Sequence, residues 1–143
     1  MPSLYLIGSL RNPRVPELAV ELRSRVAGLE VFDDWHAAGQ HADDCWRDYE
    51  KGRGRSYLQA LDGYAVKHVF EFDRLHLERC DMACLVLPAG KSGHLELGFM
   101  RGRGKPAFIL LDDPERWDAM YLFATAVVDS TDALVSAIER TKL

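Results

Sequence analysis

The stretch Met82–Leu111, MACLVLPAGKSGHLELGFMRGRGKPAFILL, decides the fold. Met82 to Leu87 is an unbroken apolar run that stops at Pro88, the pattern of a strand buried on both faces. Gly93 to Arg103 reads as a helix and Gly104 as its C-terminal stop. Ala107 to Leu111 is apolar again and reads as a second strand. Strand, helix and strand in so short a span predict a βαβ unit, whose two strands run parallel.

The same alternation extends in both directions. Upstream, Ala65 to Arg79 reads as a helix with Val69, Phe72, Leu75 and Leu77 among its apolar positions. Leu4 to Ile7 is a short apolar strand ending at Gly8-Ser9, in a turn punctuated by Pro13 and Pro16. From Val15 the apolar residues Leu18, Ala19, Leu22 and Val26 recur at helical spacing up to Gly28. Glu30-Val31-Phe32 is a second strand. Downstream, Ala126 to Val128 is a weaker strand before a helix from Thr131 to about Lys142, with Asp129 or Ser130 as its cap. The expected architecture is α/β: a doubly wound, parallel, five-stranded sheet with helices on both faces, in one domain over residues 1–143.

Residues 33–64 break the alternation. They are polar, carry Gly39, Gly52, Gly54 and Gly63, and promise short helices such as Ala42 to Tyr49. So long an irregular segment in a small domain is a lid or a contact surface. Its aromatics (Trp35, Trp46, Tyr49, Tyr57 and, at its end, Tyr64) suit stacking on a nucleobase, a satellite core or a subunit contact.

Composition narrows the function classes. With 18 basic and 22 acidic residues the net charge is −4, so there is no basic footprint for a nucleic-acid polymer. No apolar run reaches membrane-spanning length. Three cysteines and no recognisable export signal suggest reduced thiols in a cytoplasm-like compartment. There is no CxxC or HExxH; the His36/His41/Cys45 and Cys80/Cys84 spacings form no recognised ligand set, so no metal is expected. No GxGxxG follows a strand, and no cofactor is called for.

In a parallel sheet of this kind ligands bind at the carboxyl edge of the strands. That edge collects Gly8-Ser9-Leu10-Arg11, Asp33 and Trp35, and Pro88 to Glu96. The GKS at Gly90-Lys91-Ser92 imitates a P-loop, but a P-loop needs a glycine where Leu85 stands in mid-strand, so the NTPase reading fails. Instead, the helix start near Gly93 offers outward N–H groups to an anion, with Ser92 as N-cap or hydroxyl donor. Glu96 is then expected in the first turn, where the helix dipole keeps its carboxylate ionised and competent as a nucleophile. A generic first-turn glutamate is the plain alternative. Asp73, by itself, reads as a solvated helix acid. Asp81, at the opposite end of its strand, reads as structural. Gly8 to Arg11 reads either as a tight turn or as a ligand loop with Arg11 gripping a phosphate or carboxylate.

Five blocks, in order, resemble the nucleoside 2-deoxyribosyltransferase-like superfamily, above all its 2′-deoxynucleoside 5′-monophosphate N-glycosidases. They are Tyr5-Leu6-Ile7-Gly8-Ser9-Leu10-Arg11, Phe70-Glu71-Phe72-Asp73, Cys80 to Leu87, Gly93-His94-Leu95-Glu96-Leu97-Gly98 and Gly104-Lys105-Pro106. The resemblance implies a flavodoxin-like fold and a homodimer or larger homo-oligomer. It implies Glu96 as nucleophile, Asp73 as second carboxylate and Tyr5 as the residue positioning them. Gly8, Ser9, Leu10 and Arg11 would surround the ligand, and Ser92 and Gly93 would form the sugar or phosphate turn. The sequence departs from the transferases' Asp-Ser-Gly-Thr: Lys91 precedes Ser92-Gly93 and His94 stands in place of Thr. Lys91 favours an anionic substrate. The implied activity is cleavage or transfer of the N-glycosidic bond of a nucleoside or its 5′-monophosphate. The alternatives are a non-catalytic nucleotide-binding module and a TIR-like NAD glycohydrolase.

Overall fold

The computed structural model describes residues 1–142. Five strands, β1 (Ser3–Ile7), β2 (Glu30–Phe32), β3 (Met82–Val86), β4 (Ala107–Leu110) and β5 (Ala126–Val128), form one sheet. Every pairing is parallel and the order is β2-β1-β3-β4-β5. The helices are α1 (Arg14–Arg25), α2 (Ala42–Gly52), α3 (Tyr57–Ala60), α4 (Tyr64–Arg79), α5 (Lys91–Gly102) and α6 (Thr131–Thr141). Two short 3₁₀ turns, Asp34–Ala38 and Ala119–Phe123, complete the regular structure. Five parallel strands with helices between them make the doubly wound fold that the alternation predicted.

Alternation along each strand divides the core in two. Leu4 and Leu6, Met82, Cys84 and Val86, and Phe108 and Leu110 point to one face, where Leu18 and Leu22 of α1 and Leu134 and Ile138 of α6 cover them. Tyr5 and Ile7, Ala83 and Leu85, and Ala107 and Ile109 point to the other, under Leu77 of α4 and Leu97 and Met100 of α5. Tyr5 is the one polar side chain on these central positions, and it faces α4 and α5.

The sheet's opposite edge is held structurally. Asp81 accepts from the Ser3 backbone N–H (2.9 Å) and hydroxyl (3.1 Å), tying β1 to the start of β3. Ser130, one of the two expected caps, accepts from the Ala133 N–H at 3.1 Å. Two boundaries differ from expectation. Helix α1 ends at Arg25, and Gly28 serves the following turn at φ 73 rather than ending the helix. Helix α5 begins at Lys91, not Gly93, with Gly90 as N-cap and no side-chain cap bond, so Ser92 is not the cap.

Candidate active site

Gly93 sets the height of α5 over the sheet. A Cβ there would meet Leu85 Cδ1 at 3.0 Å and Ile7 Cγ2 at 3.2 Å, so only a bare backbone lets the helix approach this closely. Gly93, Leu97 and Met100 are its buried stripe, and Glu96 occupies the same stripe at helical spacing. That is why a glutamate stands among apolar neighbours: the face that packs on the sheet also carries it inward. Asp73 holds the equivalent place on α4, one turn before buried Leu77. Both carboxyls act electrostatically on Tyr5, which is 1% exposed.

Electrostatics bind these three residues into one unit. Burial, then the neighbouring charge of Asp73, push the Glu96 carboxyl up to about 8, against a partial downward pull from the Tyr5 hydroxyl. Burial and the charge of Asp43 push Asp73 up to about 6, again opposed by Tyr5. Tyr5 itself is driven far above the ordinary tyrosine range by burial and by Glu96 and Asp73, so it stays a neutral hydroxyl. Glu96 Oε2 is buried with no hydrogen-bond partner. The expectation of an ionised first-turn glutamate is thus corrected. With the helix starting at Lys91, Glu96 lies in the second turn, and burial outweighs the dipole. Burial thus holds both carboxyls above the ordinary carboxylate range, Glu96 more strongly than Asp73.

The β1–α1 loop closes one side of this edge. Gly8 is sterically required, since a Cβ would meet Val15 Cγ2 at 2.8 Å. Ser9 shapes the turn: its hydroxyl accepts from the Arg11 N–H (3.1 Å) and its carbonyl from the Asn12 N–H (3.0 Å). Leu10 is half-buried there. Arg11, expected to grip substrate, is largely exposed and pairs loosely with Asp44 of α2 at 3.9 Å. Buried Asn12, which the sequence did not single out, reaches the Val86 and Pro88 carbonyls at 3.5 Å each and ties the loop to the end of β3. The Leu87–Pro88 bond there is cis.

Asp33 and Trp35 each have a partner within the chain. Asp33 is bound by Arg23 of α1 at 2.8 Å. The Trp35 indole donates to the Leu6 carbonyl at 2.7 Å and its ring packs against both cores, so it acts as a structural wedge. At the start of α5, Lys91 and Ser92 are exposed. His94 turns aside: Nδ1 donates to the Gly90 carbonyl (2.7 Å), and Nε2 accepts from the Tyr121 hydroxyl (3.0 Å) of the second 3₁₀ turn. Tyr121 lies 27 residues away in an irregular stretch and carries no periodic signal that would have marked it.

The segment 33–64 is folded, as α2 and α3. Its start is fixed by Trp35 and by the His36 ring on the Asn12 carbonyl (3.2 Å). Its far end is fixed by Glu50, 2% exposed, which faces Arg55 at 3.0 Å and Arg53 at 3.3 Å. Tyr49, Tyr57 and Tyr64 are exposed rather than gathered over the carboxylates. Asp43, in the first turn of α2, is exposed.

Comparison of the sequence with family models and with curated proteins gives no match. Comparison of structures does. A conserved protein from Enterococcus faecalis V583 superposes with TM-score 0.67 at 14% identity, over 99% of both chains. A 2-deoxyribosyltransferase from Bacillus psychrosaccharolyticus gives 0.61 at 16%, over 93% of this chain and 90% of that one. The Clostridium botulinum CMP N-glycosidase BcmB gives 0.51 at 13%, over 96% and 98%. The chain shares their fold. The flavodoxin-like architecture implied by the sequence blocks is therefore present across nearly the whole chain, and two of the three neighbours are enzymes acting on N-glycosidic bonds.

Proposed function

We propose that this protein cleaves or transfers the N-glycosidic bond of a nucleoside or its 5′-monophosphate, with Glu96 as the nucleophile. The observation carrying this reading is the buried Tyr5–Asp73–Glu96 cluster at the carboxyl edge of a sheet shared with a 2-deoxyribosyltransferase and a CMP N-glycosidase. The transition state at C1′ is oxocarbenium-like and is stabilised, or trapped as a glycosyl ester, by a carboxylate beneath it. A proton shared by Asp73 and Glu96 suits both halves of the reaction. Positive charge growing at C1′ draws ionisation onto Glu96 and leaves the proton on the Asp73 side. As the C1′–N bond breaks, its electron pair goes to the base and the proton follows. Water then attacks C1′ to give hydrolysis; a second base gives transfer. The Tyr5 hydroxyl holds the carboxylates in register. In this reading Lys91 and Ser92, exposed at the start of α5, meet a 5′-phosphate.

The test is incubation with deoxynucleosides, their 5′-monophosphates and NAD, with and without an acceptor base, followed by chromatography. Free base from monophosphates supports a hydrolase, and base exchange supports a transferase. Nicotinamide from NAD indicates a glycohydrolase. No product from any of them leaves a binding module. Glu96→Ala should abolish turnover in a folded protein; an unchanged rate refutes the nucleophile assignment.

The partner expected on the outside is a second copy of the chain. Helix α4 spans 16 residues yet buries only Leu77. Phe70, Phe72 and Leu75 on it, Leu95 on α5, and Leu122 and Phe123 of the second 3₁₀ turn remain exposed. Glu71, Arg74, Glu78 and Arg103 mix both signs among them, which suits a self-complementary interface. Light scattering should give at least a dimer, and a monomer at micromolar concentration refutes this.

A further inference from the structure

One face of α4 closes on a single ring of β2. Phe72, His76 and Arg79, at i, i+4 and i+7, share a helix face. All three lie against Phe32: the Phe72 ring at 6.1 Å, the His76 ring stacked at 4.1 Å and 18°, and the Arg79 guanidinium at 5.2 Å. Phe32 is the register partner of Tyr5 across the β1–β2 pair, and their rings meet at 5.2 Å. A continuous line of rings therefore runs from half-buried His76 through Phe32 to buried Tyr5. Arg79 fixes the state of His76. Its Nε–H donates to His76 Nδ1 at 2.9 Å, and a guanidinium can only donate, so Nδ1 keeps its lone pair and the ring proton stands on Nε2. The acids facing the ring are Glu30 of β2, which is held by Arg79 at 2.9 Å, and Asp34 of the first 3₁₀ turn. Burial and the Arg79 charge outweigh them and hold His76 below the ordinary histidine range.

We infer that His76 is a positioning residue that holds Phe32 against Tyr5 while neutral and releases it when protonated, so that the site loosens in acid. The effect on turnover rests on the N-glycosidic reading above; the effect on the rings does not. Protonation puts an N–H on Nδ1, facing the Arg79 N–H, and the bond between them is lost. An imidazolium is also attracted to a phenyl face. Arg79 already occupies that face, and two adjacent cations cannot both keep it. The contact that fastens this end of α4 to β2 then gives way. Asp73 lies on the same helix, one turn before His76, and Tyr5 loses the support behind its ring.

The experiment follows ring contacts and base release against pH in the wild type, His76→Phe and Arg79→Met. His76→Phe keeps an aromatic ring on Phe32 and cannot titrate. Arg79→Met keeps His76 and removes the charge that opposes its protonation. Nuclear Overhauser contacts between the Phe32 and Tyr5 rings read the positioning without catalysis, and the ring nitrogen shifts of His76 read its tautomer and titration. Asp73, pushed up to about 6, titrates in all three proteins, so what differs between them belongs to His76. The wild type should show the Nε2–H tautomer and lose most of the Phe32–Tyr5 contact as His76 protonates. His76→Phe should keep that contact over the same pH range, and Arg79→Met should lose it at higher pH. Release of base from deoxynucleoside 5′-monophosphates should follow the rings. In acid, His76→Phe should retain at least about tenfold more of its neutral-pH rate than the wild type does. A wild-type contact unchanged by His76 protonation, or the same loss in His76→Phe, overturns the inference. Ring contacts that follow His76 in a protein releasing no base uphold His76 and refute the N-glycosidic reading. Base release with an acid limb that His76→Phe leaves unmoved does the reverse.

Discussion

Replacing Glu96 by Gln should stabilise the protein, and by an amount that grows with pH. In the unfolded chain Glu96 titrates near its ordinary 4.5, whereas in the fold it is pushed up to about 8. Below 4.5 both states are protonated and burial of the side chain carries no charge penalty. Between the two values the native state keeps a proton that the unfolded state has released, so stability falls as pH rises. Above 8 both states are ionised and the penalty is constant. At about 1.4 kcal/mol per pH unit the interval corresponds to roughly 5 kcal/mol, and local rearrangement around the charge brings this to about 3–4 kcal/mol. Gln has the same shape and no charge, so it escapes the penalty. Asp73 destabilises in the same direction through its own raised value, but it is present in both proteins and largely cancels. Urea unfolding at pH 5 and pH 9 measures the difference directly. The gap between Glu96→Gln and the wild type should widen by about 3–4 kcal/mol at the higher pH, or roughly 10 °C in melting temperature. A gap that is the same at both pH values refutes the buried, charge-penalised glutamate on which the site depends.

Other substitutions probe the surroundings. Tyr5→Phe removes the hydroxyl that draws Glu96 and Asp73 down, so the acid limb of the rate profile should move up by about one pH unit, with turnover reduced at least tenfold; an unmoved limb in an active variant removes Tyr5 from the site. Gly8→Ala forces a Cβ to within 2.8 Å of the stiff Val15 side chain and should cost about 1–3 kcal/mol in chemical denaturation. Trp35→Phe deletes the indole bond to the Leu6 carbonyl and should cost about 1–3 kcal/mol by the same measurement while leaving the pH at which Glu96 titrates unchanged; a shifted Glu96 titration by carboxyl NMR places Trp35 in the site after all.

The βαβ stretch from Met82 to Leu111 was legible because buried strands and amphipathic helices obey local periodicities, and side-chain hydrophobicity is a property of each residue alone. Five strands and their parallel direction followed from the same alternation along the chain. Glu96 was legible as an anomaly in an apolar stripe, but not its raised titration: the helix start at Lys91 and the close approach set by Gly93 both depend on what the helix rests against. Asp73 was legible only through its ordered neighbours, since an acid on an exposed-looking helix reads the same wherever the helix lies. Arg11, Asp33 and Trp35 look like ligand contacts in sequence, and only the fold shows that they also meet Asp44, Arg23 and Leu6. Asn12 on the Val86 and Pro88 carbonyls and Tyr121 on His94 were not legible as contacts. Their positions are fixed by contacts across long separations, and a carboxylate's field acts through space with no trace in the spacing of the chain. Periodicity wrote the layers into the sequence, while the burial that raises Asp73 and Glu96 beside Tyr5 exists only once three separate elements pack together.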